Sequence, residues 1–476
     1  MEDEAATPCA NCQRLQAQVD ALTAAVAQLQ ATVAQLQAQL AGARKDSSTS
    51  SKPPSSDIVK PPKSQPPAGQ DRRRIGGQPG HPKHERSLVP PEQLTAPPHD
   101  YIPELCPDCG QGLCPAEAAV RVVQQIEIRV VPVQIEEHRS HPGWCPHCRK
   151  VHFAPLPSDV RVGGLVGPRL TTLIAYLKGF CHASYSTIRK FLRDVVAVTI
   201  SRGQLKKIIG KVSAALEQPY QELLEALPGE AILNVDETGH KNNKDRMWTW
   251  CFRAGLYTLF QIDPFRHAEV LMDVLGKEFD GVIGCDHFSA YRRYMRVCDV
   301  TVQFCLAHLI RDVKFLMTLP DAREKAYGER LRQALRDLFG VIHRRDQLPA
   351  AVFEKELERA RDEVLRQGTQ GVPPGRHAQA MAKRLAKYGA SYFTFVTTPG
   401  VEPTNNLAEQ AIRFVVIDRR ITQGTRSEMG QRWCERIWTV IATCTQQGRS
   451  VFEYLESAVR AYFYHEKAPS LLPSDG

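Results

Sequence analysis

Apolar side chains along residues 15–40 step alternately by four and three: Leu15, Val19, Leu22, Val26, Leu29, Val33, Leu36 and Leu40. Between Val19 and Leu36 valine takes the a positions and leucine the d positions, a choice that favours a two-stranded parallel coiled coil about 38 Å long at ~1.5 Å per residue. The e and g neighbours are Gln, Thr and Ala, so no charge specifies the partner. An amphipathic helix folded onto the body is the other reading, but a strict a/d seam is narrow for a globular face. The pattern then vanishes. Residues 46–98 carry SSTSSKPPSSD, paired prolines and an Arg-rich tract, a composition that buries no core and predicts a tether.

Alternating β-formers return at 120–136 (VRVVQQIEIRVVPVQIE). Residues 160–228 read as helices. Leu170, Leu173, Ile174 and Leu177 mark one, 184–195 a second, and Ser201 to Gln204 form a capping box opening a third. A short helix, a turn and a capped helix carrying Arg202, Lys206, Lys207 and Lys211 resemble a helix-turn-helix, although any small bundle shows this pattern.

From 231 the period changes. AILNVDETGH is a buried-strand run ending in Asp236, and 247–254 and 257–262 complete a three-strand meander. A helix over 266–277 follows, then a short apolar run ending in Asp286, then the run 301–305 leading into a helix through Cys305 and His308. The order β-β-β-α-β-α-β-α is that of a ribonuclease H-like domain, in which acids on the first and fourth strands face each other. Residues 321–387 are charged and helical, broken near 368–375, and read as an insertion within a catalytic domain spanning 229–430. Two further helices around Gly448 close the chain from 431 to 476.

Length and charge sharpen this picture. The 476 residues exceed one core, and the net charge is +9. Residues 44–86 hold ten Lys/Arg against four Asp/Glu, favouring a polyanionic partner, with a solvated linker as the plain alternative. Arg72, Arg73 and Arg74 followed by Gly-Gly are compact enough to enter a minor groove. No run of apolar residues is long enough for a membrane span, and the acidic N-terminus is unlike a signal peptide. A cytoplasmic protein without disulfides is expected, nucleoid-associated when bound to DNA. The fourteen cysteines include Cys106/Cys109 and Cys145/Cys148, two CPxC knuckles whose four thiolates suit a structural zinc ribbon over 99–155. Cys114, His141 and His147 fit less well as ligands. Cys9 and Cys12 form an isolated CxxC, a weak signal.

A metal site on the strand-end acids needs a third carboxylate, and Glu409 in NNLAEQAIR is the candidate. Asn406 reads as the cap of its helix, with Arg413 one turn further on the same face. Each acid alone reads as a cap or surface residue; together they suit two magnesium or manganese ions in a phosphoryl displacement. Glu237 alternates to the other side of the strand and is not expected to be a ligand.

The coiled coil over 1–45, SSKPPSSD, GGQPGH, the paired CPxC knuckles, GPRLTTLIAYL, VDET, the Asp286 run, CxAH and NNLAEQAIR together resemble the large subunit of a DDE transposase of the insertion sequence sixty-six family. That resemblance implies Asp236, Asp286 and Glu409 as the catalytic triad, with Cys305 and His308 supporting. It implies a multidomain enzyme that binds the terminal inverted repeats of its element, cleaves double-stranded DNA and joins 3′-hydroxyl ends to target DNA. Oligomers through the coiled coil and small accessory proteins of the same element are expected partners. A catalytically inactive, transposase-derived DNA-binding regulator is the alternative reading.

Overall fold

The computed structural model describes residues 10–43, 49 and 88–473, apart from 103, 106, 112–113, 115–119, 121, 127, 129–131 and 157–165. They fall into two units, Pro62–Glu136 and a larger one made of Met1–Pro61 with Glu137–Gly476. Within the smaller unit the chain is held locally: the Gln124 side chain accepts from Val89 N at 2.6 Å and donates to Val89 O at 2.9 Å. The strands expected over 120–136 do not form among the described residues. Val120, Val123 and Ile135 are 84–90% exposed, and without a partner ladder alternation alone builds no strand.

The larger unit opens with α1 (Ala10–Ala43). Its eight seam residues, Leu15 through Leu40, stay 50–66% exposed, so nothing among the described residues covers the seam. A two-stranded antiparallel hairpin follows, β1 (Pro142–Cys145) with β2 (Lys150–Phe153), bracketing the second cysteine knuckle. Four helices come next: α2 (Pro168–Gly179), α3 (Tyr185–Asp194), α4 (Arg202–Ala215) and α5 (Glu217–Ala226). Ser201 caps α4 by accepting from Gln204 N, as the sequence predicts, and Ser184 likewise caps α3 by accepting from Thr187 N.

The central sheet has five strands: β3 (Ile232–Asn242), β4 (Asp245–Arg253), β5 (Thr258–Asp263), β6 (Val282–Cys285) and β7 (Thr301–Phe304). Their spatial order is β5-β4-β3-β6-β7, with β3, β4 and β5 antiparallel and β6 and β7 parallel to β3. The crossovers carry α6 (Ala268–Leu275) and α7 (Ser289–Cys298), and α8 (Leu306–Leu316) follows the last strand. The charged segment is helical: α9 (Ala322–Ile342), α10 (Ala350–Thr369), α11 (Arg376–Tyr392) and the single turn α12 (Thr394–Thr397). The expected break falls between α10 and α11. Finally come α13 (Asn406–Thr422), α14 (Glu428–Gln446) and α15 (Val451–Tyr464).

One reading changes here: β3 does not end at Asp236 but runs on to Asn242, because β4 pairs with it continuously from Asn234. Only the parallel pairing with β6 stops at Asn234. Apart from the exposed Lys241, the polar residues beyond Asp236 on β3 are sheltered, His240 lying buried with its Nε2 3.1 Å from Thr425 Oγ1.

At the other edge, α14 lies along β5. Thr443, Thr439 and Glu435 accept from the N–H groups of Thr258, Phe260 and Ile262 at 2.7–3.1 Å. Four residues of helix rise about 6 Å and two of strand about 6.8 Å, so the two rows stay nearly in step. The helix thereby satisfies a strand edge that would otherwise be open to pairing.

Candidate active site

The candidate acids meet where parallel pairing in the sheet runs out. The β3–β6 register sets Ile232 beside Val282 and Asn234 beside Gly284; continued two residues, it brings Asp236 level with Asp286. Close packing supports this: a Cβ on Gly284 would lie 2.5 Å from Asn234 Nδ2, so glycine there gives that amide its space. Asp286 follows β6 directly and accepts from Phe288 N at 2.8 Å, partly serving the helix start. Ringed by protein, Asp236 still keeps some surface open to solvent.

Burial, with Glu237, Asp286 and Glu409 close by, pushes the Asp236 carboxyl well above the usual carboxylate range. Burial and Glu237 push Asp286 up to about 6, against weaker opposition from the Phe288 N–H, Arg266 and Arg384. Carboxylates pressed together in this way are short of positive charge, and an oxygen-liganded divalent cation is the species that relieves them. Asp236, Asp286 and Glu409 therefore fit magnesium or manganese by donor type.

Glu409 comes from the first turn of α13, and Asn405 positions that turn. The sequence points to Asn406 as the cap, yet Asn405 occupies the cap position, and no side chain caps the helix. Asn405 is fully buried. Its Nδ2 donates to Val235 O at 2.8 Å, its Oδ1 accepts from Asn234 Nδ2 at 3.0 Å, and its N–H donates to Cys305 Sγ at 3.2 Å. One residue thus ties β3, the start of α8 and the start of α13.

Around Glu409, His308 Nδ1 stands 3.6 Å from Oε1 and Arg311 Nη2 stands 3.6 Å from Oε2. Both Glu409 Oε1 and His308 Nδ1 are buried without a hydrogen-bond partner. Cys305, His308 and Glu409 each offer a donor atom, all within 4.8 Å of one another, a spacing that admits an ion. Arg311 opposes that use. Its Nη1 lies 3.3 Å from His308 Nε2, which must accept, leaving the neutral ring's proton on Nδ1 toward Glu409. Burial, then Arg311 and Arg384, lower His308 to about 4, so the ring is neutral at physiological pH. Burial also raises the Cys305 thiol, despite N–H donation from Asn405 and His308. This chemistry suits orientation of Glu409 better than a soft-metal site.

Glu237 acts on both Asp236 and Asp286 through its charge, and it has partners of its own. Arg266 Nε and Nη2 contact its Oε1 at 2.7 and 2.5 Å, and the Tyr291 hydroxyl donates to its Oε2. Arg266 is in turn sandwiched between the Trp248 ring (4.7 Å) and the Phe288 ring (3.8 Å). Arg384, from α11, pairs with Asp312 at 2.6 Å and lowers Asp286 and His308 through its charge. Arg266, Arg311 and Arg384 carry no sequence signal beyond lying in charged helical or loop segments. Arg419, by contrast, follows the family-like stretch and reaches Thr238 Oγ1 at 3.2 Å.

The other predicted site residues are dispersed. Arg72, Arg73, Arg74, Cys9 and Cys106 lie outside the described residues, as does the Cys12 side chain. Cys109 is exposed. Around the second knuckle, hydrogen bonds from Cys148 and from His147 N–H hold the Cys145 thiol below its ordinary value, and Cys148 Sγ lies 3.2 Å from His152 Nε2. His152 is a neighbour the spacing of cysteines does not reveal. Arg202, Lys206 and Lys207 are exposed on α4, where Arg202 donates to Ser186 of α3 at 2.5 Å. Arg413 is exposed on α13. Among the described residues no helix is long and apolar enough to cross a membrane.

Compared with the curated proteins, the chain finds no match. Residues 5–87 match the model of a family of unknown function, DUF6444. Residues 163–432, which contain the whole central sheet and all three candidate acids, match the model of the IS66 family of transposases, and the chain belongs to that family.

Proposed function

We propose that this transposase is a DDE enzyme built on a ribonuclease H-like domain, with Asp236, Asp286 and Glu409 as its catalytic carboxylates. The reading rests on one observation above all: Asp286 from the end of β6 and Glu409 from α13 both lie close enough to Asp236 of β3 to raise its carboxyl, at a solvent-reaching point of the sheet. Strand order β5-β4-β3-β6-β7, with an antiparallel first half and a parallel second half, supports the fold assignment.

The reaction is in-line displacement at phosphorus, first by water and then by a freed 3′-hydroxyl. Two magnesium or manganese ions held by the three carboxylates would activate the attacking oxygen and stabilise the leaving one. The protein's own part is positional. Asn405 fixes the start of α13, and His308 with Arg311 flanks the two Glu409 oxygens. Arg266 and Tyr291 occupy the Glu237 oxygens, so it does not compete for the ions. Arg202, Lys206, Lys207, Arg413 and the Arg72–Arg74 tract are proposed to hold DNA through its phosphates. Cys106, Cys109, Cys145 and Cys148 are proposed to hold a structural zinc, to which the N–H donors at Cys145 are suited. The uncovered α1 seam is proposed to pair with a second copy.

The test is a nicking and strand-transfer assay on DNA bearing the ends of the element. Wild type with Mg²⁺ or Mn²⁺ should give nicked and joined products, and Asp236→Asn and Glu409→Gln should not. Undiminished products from either variant would refute the triad.

A further inference from the structure

From the geometry of α7 and α11 we propose a groove that carries one DNA strand away from the candidate active site, gripping its phosphates; the choice of DNA rests on the function proposed above. Two adjoining cavities of about 620 and 360 Å³ share Arg292, Arg296 and Tyr388, so they form one trough. It begins at Ser289, immediately after the Asp286–Phe288 hydrogen bond, and ends near Asp299. Arg292 and Arg296 form the α7 wall, Lys387 stands on the α11 wall, and the hydroxyl-bearing Thr301 lies between. These are the groups that bind phosphate oxygens: guanidinium, ammonium and neutral hydroxyl donors.

The charge is uncommitted. Arg293 is occupied by Glu269 at 2.6 Å and Arg266 by Glu237 at 2.5 Å. Arg292, Arg296 and Lys387 form no ion pair among the described residues, and Asp299 is the acid that lines the trough. Arg292 Nε is buried without an acceptor, a donor that a phosphate oxygen would satisfy. Arg292 and Lys387 also hydrogen-bond the Tyr388 hydroxyl, which sets the two walls against each other. Ten residues of α7 span about 15 Å at ~1.5 Å each, room for about four phosphates of one strand at roughly 3.4 Å per phosphate along the duplex axis.

Salt dependence of binding tests this without requiring catalysis. Full-length protein carrying Asp236→Asn is titrated against a short labelled DNA duplex by fluorescence anisotropy at several salt concentrations. Adding Arg292→Ala, Arg296→Ala and Lys387→Ala together should flatten the slope of log K against log salt by about 2 to 3, or about 0.9 per lost contact. Affinity at 0.1 M salt should fall on the order of a hundredfold. Single Arg296→Gln and Lys387→Gln changes, at exposed positions, should each flatten it by about one, and Asp299→Asn should tighten binding. Unchanged slopes in the single variants would overturn the groove, as would loosened binding by Asp299→Asn. A slope loss seen only with double-stranded RNA would overturn the choice of DNA. If wild type fails to nick DNA while the slopes change as stated, the function proposal falls and the groove stands.

Discussion

Replacing Asp286 by asparagine should stabilise the metal-free protein at neutral pH while destroying its response to magnesium. Asparagine keeps an oxygen for Phe288 N but cannot ionise. In the folded protein Asp286 is pushed up to about 6 from an ordinary 3.8. The native state therefore binds the proton more tightly between those values, and the carboxyl's contribution is fully present below pH 3.8 and lost as pH rises through 6. A shift of about two units is worth about 3 kcal/mol at ~1.4 kcal/mol per unit, or about 6–12 °C in Tm for a domain of roughly 200 residues. The measurement is unfolding in chelator at pH 4.5 and pH 7.5, followed by the fluorescence of Trp248 and Trp250 on β4. Asp286→Asn should exceed wild type by only about 1 kcal/mol at the lower pH and by about 3 kcal/mol at the higher. Saturating Mg²⁺ should then nearly close that gap, stabilising wild type by about 2.7 kcal/mol at a hundredfold excess over Kd and leaving the variant unmoved. Equal pH dependence in both proteins, or an equal gain from Mg²⁺, would refute the crowding of carboxylates on which the site is built.

Three further expectations concern the elements around that site. Thr439→Val removes the acceptor for Phe260 N at a buried strand edge and should cost about 1–3 kcal/mol in denaturant unfolding; a loss under 0.5 kcal/mol would mean the α14 row does not protect β5. Asn405→Ala strands Asn234 Nδ2 and Val235 O, and should cost about 2–5 kcal/mol; additivity with Asn234→Ala in a double-mutant cycle would deny the link between β3 and α13. Cys145→Ser should lose bound zinc by elemental analysis while leaving Mg²⁺ stabilisation intact, and equal zinc in variant and wild type would remove Cys145 from the ligand set.

Much of this was legible in the sequence because strands and helices announce themselves by period. Residues 231–305 alternate or run apolar in lengths typical of strands, so the order of elements along the chain could be written down with Asp236 on the first strand and Asp286 after the fourth. Asp236 was located correctly but its strand was cut short. Thr238, His240 and Asn242 carry no apolar run, and continuous pairing with β4 makes them strand residues. The opposite error occurred over 120–136, where alternation was read as strand although no ladder partner exists among the described residues. Partner choice is a tertiary fact that a local pattern does not carry.

The same limit explains the site. Three candidate acids were proposed by type and position, but Arg266, Arg311 and Arg384 lie among many arginines, and only the fold brings them beside those acids. In the pair Asn405 and Asn406, capping logic favoured the second, while the first is used because its side chain reaches across to β3.

The central claim is that Asp236 touches the catalytic ion. Asp236→Cys should reduce DNA nicking in Mg²⁺ by at least about a thousandfold and recover substantially in Mn²⁺, a softer ion that accepts a thiolate ligand more readily. Nicking by Asp236→Cys in Mg²⁺ at the wild-type rate would contradict the account.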